Sequence, residues 1–334
     1  MKKTLVAVAA IAAFASAQAQ VTLSGGVNYG LTQLSTGATK TKLTGGDSNQ
    51  FNNVRFTAGE DLGDGMKASV TYDLGLDYSA GAGAGYTRES HIDLSGAMGS
   101  VSLGRQYVPI FLAATVDPVG LPALSIGQES LNTIFLTQSN RDVRNNGSFA
   151  YVTPNFSGFT GNYFTSVATS GAGATVGYGL KYAAGAISAE FQTQSAGDEG
   201  IAKYASDAAA GTNSTFTAGT NATKRQLGAV KYDAGVASFV YIYGTAKNNA
   251  LGVSQNYLAV GAPIPGSKFN VAAGYSMGTQ TVNGAAGTST TGNIYRINYA
   301  FSKRTGAYYI YGSDKSSTIN RTTTSSSFGM SHNF

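Results

Sequence analysis

The sequence predicts an all-β fold, a 16-stranded antiparallel barrel that crosses a membrane. Three observations predict it. From Gln20 onward apolar and polar residues alternate with a period of two, and helical spacing is hardly visible. The connections alternate between tight turns and long polar loops, the arrangement of a transmembrane barrel. The polar face carries Lys67, Asp73, Asp77, Lys181 and Glu190, which a dry core could not hold unpaired and a water-filled lumen accommodates. A secreted β-sandwich or β-solenoid competes, but it would need a second layer to close its apolar face.

The chain opens on an export address. Lys2 and Lys3 precede an apolar stretch from Leu5 to Ala15, too short to span a bilayer as a helix, and Ala17-Gln18-Ala19 fits a small-residue cleavage site. Residues 1–19 are therefore expected to be removed as a signal peptide, leaving 20–334 as a single barrel domain. Loss of the two lysines leaves 20 basic against 17 acidic residues, net +3, too mild and scattered for a nucleic-acid binder.

The strands then follow in order. In the first, Val21, Leu23, Val27, Tyr29 and Leu31 oppose Thr22, Ser24, Gly26, Asn28 and Thr32; in the third, Met66, Ala68, Val70, Tyr72 and Leu74 oppose Lys67, Ser69, Thr71 and Asp73. Val176, Tyr178, Leu180 and Tyr182, and later Phe269, Val271, Ala273, Tyr275 and Met277, repeat the pattern. Reading every such run places strands near 20–34, 50–61, 65–78, 86–96, 98–106, 143–153, 158–168 and 174–184. The second half continues near 185–195, 223–233, 235–246, 252–262, 266–278, 291–301, 304–313 and 324–334. Each is close to the length that crosses a bilayer at a tilt. Turns such as Gly63-Asp64-Gly65 and Pro265-Gly266 interleave with loops such as Thr36 to Asn49 and Ala196 to Ala222.

Between Gln106 and Val143 the alternation lapses for about thirty-five residues, a length that is commonly functional. Three of the six prolines, Pro109, Pro118 and Pro122, argue against a membrane strand there. Ile110, Phe111, Leu112, Leu121, Leu124 and Ile126 argue against a purely solvated loop, because apolar residues need a surface to cover.

Composition removes most chemistry. With no cysteine and only two histidines, His91 and His332, there is no disulfide frame, no thiol nucleophile and little scope for metal or triad catalysis. No cofactor and no metal are expected. Ser90-His91-Ile92-Asp93 has acyl-transfer residue types, but alternation sends Ser90 to the face opposite His91 and Asp93, so His91 reads as a lumen or interface residue. Gly81 to Gly85 lacks the spacing and lysine of a phosphate loop.

The chain resembles the general porins of Gram-negative outer membranes, in particular the betaproteobacterial branch of trimeric, 16-stranded porins. The resemblance runs the whole length. It rests on Gln20-Val-Thr-Leu-Ser-Gly, Gly59-Glu-Asp-Leu-Gly-Asp-Gly-Met-Lys-Ala, Leu103-Gly-Arg-Gln-Tyr, Tyr151-Val-Thr-Pro-Asn-Phe-Ser-Gly-Phe159 and Phe328-Gly-Met-Ser-His-Asn-Phe334. It implies an outer-membrane, homotrimeric channel for passive diffusion of ions and small hydrophilic solutes, in contact with lipid and lipopolysaccharide. It also implies that Phe328, Met330 and Phe334 form a targeting strand read by the barrel assembly machinery. The third loop, about 107–142, is then expected to fold inward as a constriction.

At such a constriction selection is electrostatic. Arg55 shares the lumen parity of residues 53 and 57, although related porins usually carry their basic residue at the position of Asn53. Arg105 and Arg144 stand where the resemblance puts a basic wall, with Arg141 in reserve, and Asp117 and Glu129 are the carboxylates of the facing loop. Strict parity groups Arg105 with Val101 and Leu103, outward, unless a bulge intervenes at Gly104. Three arginines against two carboxylates point to mild anion preference. A substrate-selective channel, or an outer-membrane enzyme or adhesin on the same scaffold, remains the alternative.

Overall fold

The computed structural model describes residues 20–36, 39–45, 52–76, 85–120, 143–167, 174–196, 201–204, 214–217, 223–247, 251–282, 284–317 and 321–334. The expected signal peptide, Glu129 and Arg141 lie outside them. The strands run as β1 (Gln20–Thr36), β2 (Thr39–Gly45), β3 (Asn53–Gly63), β4 (Met66–Gly75), β5 (Tyr86–Gly96) and β6 (Gly99–Tyr107). A single-turn helix, α1 (Pro109–Ala114), follows β6. Next come β7 (Arg144–Val152), β8 (Phe159–Ser166), β9 (Thr175–Ala184), β10 (Ile187–Ala196), β11 (Ile201–Tyr204), β12 (Ser214–Thr217) and β13 (Thr223–Asp233). The chain ends through β14 (Ser238–Lys247), β15 (Leu251–Pro263), β16 (Phe269–Val282), β17 (Ala285–Ala300), β18 (Thr305–Ser316) and β19 (Arg321–Asn333).

Sixteen of these form the barrel, each antiparallel to its neighbours in the chain. β1 closes the ring by pairing with β3 along its first residues, from Gln20 opposite Gly59, and with β19 from Gly26 opposite Asn333. Closure satisfies the backbone of every strand without leaving an edge, which a bilayer demands. Three short strands were read from sequence as loop. β2 folds back on the upper part of β1, and β11 pairs with β12 as a separate ladder. The predicted strand near 291–301 also begins earlier, at Ala285, because it pairs with the extended end of β16.

The two faces separate as the alternation requires. Val21, Leu23, Tyr29 and Leu31 of β1, Val70 and Tyr72 of β4, Tyr241 of β14, Tyr295 of β17 and Phe328 of β19 all stand exposed on the outside. Such a continuous apolar belt would be a liability in water and is what a hydrocarbon solvent selects. At the seam Phe334 exchanges backbone hydrogen bonds of 3.1 Å with Gly25 in both directions. Its ring lies where a side chain at position 25 would go: a Cβ there would stand 2.7 Å from the ring.

The dry core is inside the barrel, to one side. Val108, Ile110, Phe111, Ala113 and Val119 are buried together with lumen-facing Phe164, Leu227, Ala229, Ile242, Ala272 and Ile294. α1 packs on β9, β10 and β13, two to four strands further round the barrel than β7. The described part of the long connection, residues 108–120, is thus a strap laid against the inner wall, its apolar residues covered as their composition requires.

Candidate functional site: a charged passage beside the strap

Three guanidinium groups gather on the wall formed by β3 to β7. Arg55 of β3 reaches Glu89 of β5 and lies 3.7 Å from Asp73 of β4, with 38% of its side chain still exposed. Arg88 of β5 is buried; its Nε lies 3.3 Å from Asp73 Oδ2 and its Nη2 donates to the Tyr107 hydroxyl. Arg144, at the start of β7, donates through Nη2 to the same hydroxyl at 2.6 Å. Asn53 donates to Asp73 Oδ1 at 2.8 Å. Tyr107 in turn stacks on Phe111 of α1, with ring centroids 5.1 Å apart. One phenol therefore ties two arginines to the strap, and two carboxylates hold the third arginine and Arg88 in place.

A bulge puts Arg88 there. Asp73 pairs with Glu89 and Leu74 with Thr87, so the backbone register with β4 skips Arg88. Alternation with Ile92 and Leu94 would send an even-numbered residue outward, but the extra residue inverts the strand's parity above it. Tyr86, two residues further, accordingly lies over lumen-facing Gly75, its ring filling the space of a Cβ. Sequence reasoning missed Arg88. The available signal was a bare arginine falling on a face otherwise reserved for lipid, a placement a barrel wall does not tolerate.

The other predicted residues are not all brought together. Arg105 lies opposite Ser90 in an unbroken register with β5, on the side of the outward Leu103–Ile92 pair, and the irregularity at Gly104 affects only the pairing with β7. Its Nε donates to the Thr87 carbonyl at 2.9 Å and its Nη1 to Asn146 at 2.7 Å, so it is held by the wall itself rather than by the cluster of Asp73, Glu89 and Tyr107. Asp117 is buried on the far wall. It accepts from the Tyr257 hydroxyl of β15 and from the Val119 N–H, both at 2.9 Å. Arg296 of β17 donates to the carbonyls of Val119 at 2.6 Å and Pro118 at 3.0 Å. Burial pushes the Asp117 carboxyl up to about 7, against the opposing pull of the Val119 N–H, Tyr257 and Arg296. Pro118 fits here because position 261 is glycine; a Cβ there would come within 2.6 Å of it. Arg296 was findable by parity, standing between outward Tyr295 and Ile297.

The resulting object is a closed barrel with a strap across its inside and arginines on the facing wall. The sequence matches the Gram-negative porin family over residues 4–319. The chain belongs to that family. With it goes location in the outer membrane. The porin is 33% identical to outer membrane porin protein 32 of Delftia acidovorans over 182 residues, a match that covers 49% of each chain. It spans about half the length of that curated relative. Its fold is similar to that of an anion-selective porin from Comamonas acidovorans, with a TM-score of 0.76 and 20% identity, covering 95% of this chain and 100% of the other. It is likewise similar to the trimer form of OmpT, an outer membrane protein of Vibrio cholerae, with a TM-score of 0.72 and 14% identity, covering 95% and 99%. At such identities the two structures speak for the fold.

Proposed function

We propose that this porin forms a water-filled channel through which ions and small hydrophilic solutes diffuse passively, with a preference for anions and no turnover. The observation that carries the reading is the lumen row of Arg55, Arg88 and Arg144 against Asp73 and Glu89, a surplus of one positive charge beside the strap. In a narrow passage between low-dielectric walls, fixed charge of one sign concentrates counter-ions. The anion selectivity named for the Comamonas relative supports the same sign. Arg105 and Asp117, for which the sequence suggested lumen roles, are assigned here to the wall and to the strap's seat. Planar-bilayer recording under a salt gradient tests the reading: the zero-current potential should take the sign of anion preference, and a cation-preferring or saturably blocked channel would count against it.

The remaining assignments belong to the same proposal. Residues 1–19 are a leader, Phe328, Met330 and Phe334 form the signal read by the assembly machinery, and three copies associate in the lipid and lipopolysaccharide of the outer membrane. The trimer form of the Vibrio relative supports the last of these. Native mass spectrometry in mild detergent should record three copies, each beginning at Gln20; a monomer, or a chain retaining Met1, would overturn the corresponding part.

A further inference from the structure

Of the two histidines in the chain, one stands in the lumen. His332 is on the outer face at the rim, its Nδ1 2.8 Å from the Thr305 hydroxyl. His91 points inward from β5 with 12% of its side chain exposed. Its Nδ1 lies 3.0 Å from Asp93 Oδ1 and 3.3 Å from the Ser102 hydroxyl of β6, and its Nε2 lies 3.7 Å from Glu89 Oε1. The imidazole is bracketed by carboxylates on its own strand, two residues to either side. From β4 the neighbours are Thr71, its register partner, Asp73 one step above and Ser69, which donates to Asp93 at 3.4 Å. From β3, Arg55 faces the site through its contact with Glu89. Ser102 cannot act as a nucleophile here, because it and Asp93 compete for the same ring nitrogen.

The charge inventory of this wall turns on that ring. Asp93 adds a third carboxylate to Asp73 and Glu89, one pleat period below the row of Arg55, Arg88 and Arg144. The row keeps its surplus of one positive charge in either case; below it, Asp93 is uncompensated with His91 neutral and compensated with His91 charged. We propose that His91 is a selectivity-determining residue of this channel, its protonation raising the preference for anions as the external pH falls. The imidazole is the side chain whose charge ordinarily changes between pH 5 and 8; Asp93 offers an acceptor to one N–H of the cation, and the Glu89 carboxylate stands 3.7 Å from the other nitrogen. Arginines remain charged throughout that range, so they set the baseline and His91 the adjustment.

This inference rests on the channel reading above, and one series of recordings separates the two. In planar bilayers the anion-to-cation permeability ratio of the wild type should be roughly threefold higher at pH 5.5 than at 8.5, the effect of one partly screened charge beside an aqueous path. His91→Gln should be flat across the range. His91→Lys should hold the low-pH ratio at every pH, which provides a second reading should the glutamine variant fail to fold. Asp117→Asn should keep the wild-type dependence. A pH dependence that survives in His91→Gln, or that vanishes in Asp117→Asn, would overturn the role of His91. Absence of any conducting channel, or selectivity indifferent to the three arginines, would instead remove the channel reading.

Discussion

Replacing Arg55, Arg88 and Arg144 together by serine is expected to reverse the ion preference of the channel, lowering the anion-to-cation permeability ratio by roughly tenfold or more. The substitution removes every cation of the lumen row and leaves Asp73 and Glu89, with no guanidinium partner, facing the passage. The row's charge then passes from positive to negative. Position matters as much as number: Arg105 is bound to a backbone carbonyl and to Asn146 in the wall, so Arg105→Ser should shift the ratio little. Lys247 at the end of β14 and Lys303 in the turn after β17 face bulk water, where salt screens a charge within about 8 Å. Their replacement should be silent. Equal shifts from the lumen and surface sets would mean that the narrow row lies elsewhere.

The second large effect is expected at the strap's far anchor. Arg296→Met keeps much of the side-chain volume but withdraws the donors from the Pro118 and Val119 carbonyls, at about 1–3 kcal/mol for each buried acceptor left unsatisfied. The strap should then leave its seat part of the time. Single-channel current should become noisier and liposome swelling should admit larger solutes, while the barrel's resistance to heat changes little because the β1–β19 seam is untouched. Quiet, wild-type currents would show that α1 and the Asp117–Tyr257 bond hold the strap without Arg296. The seat also carries a pH dependence. Asp117 has its proton affinity raised to about 7 when seated, so the seated form binds protons that an exposed aspartate would release. Seating is therefore strongest below the ordinary aspartate range, weakens as pH rises towards about 7, and is constant above it. Current noise should follow that curve, and Asp117→Asn should abolish the dependence.

How much of this was legible in the sequence depended on whether period two held. Where it did, as in β1, β4, β9 and β16, the strands, their faces and the closure into a barrel could be read from residue types, because lipid and water select opposite side chains at successive positions. Arg55 was on its correct face by counting, and the same count extended to β17 would have placed Arg296. Where a bulge broke the count, the reading inverted, and Arg88, at the centre of the arginine row, was lost by one inserted residue. The strap was visible only as apolar composition with nothing to cover. Its partners, Tyr257, Gly261 and Arg296, lie on strands whose own alternation is satisfied without it. That Asp117 would leave the passage for a niche beside Tyr257 is a property of the packed interior, for which residue spacing has no marker.

The anchor at Arg296 joins carbonyls 177 and 178 residues earlier in the chain. Contacts of such separation cannot form until the intervening segment has been organised, since loop closure costs entropy before any bond repays it. The strap is made early in the chain, yet its seat comes into being only when β15 and β17 have both paired with β16 between them. During assembly the barrel must therefore pass through a stage in which the strands of the first half are paired and the strap has no landing place. The narrowing of the lumen is accordingly one of the last events in the molecule's formation. A chain cut short before β17 could pair its early strands, but it would lack both the strap's anchor and the β1–β19 seam that closes the ring.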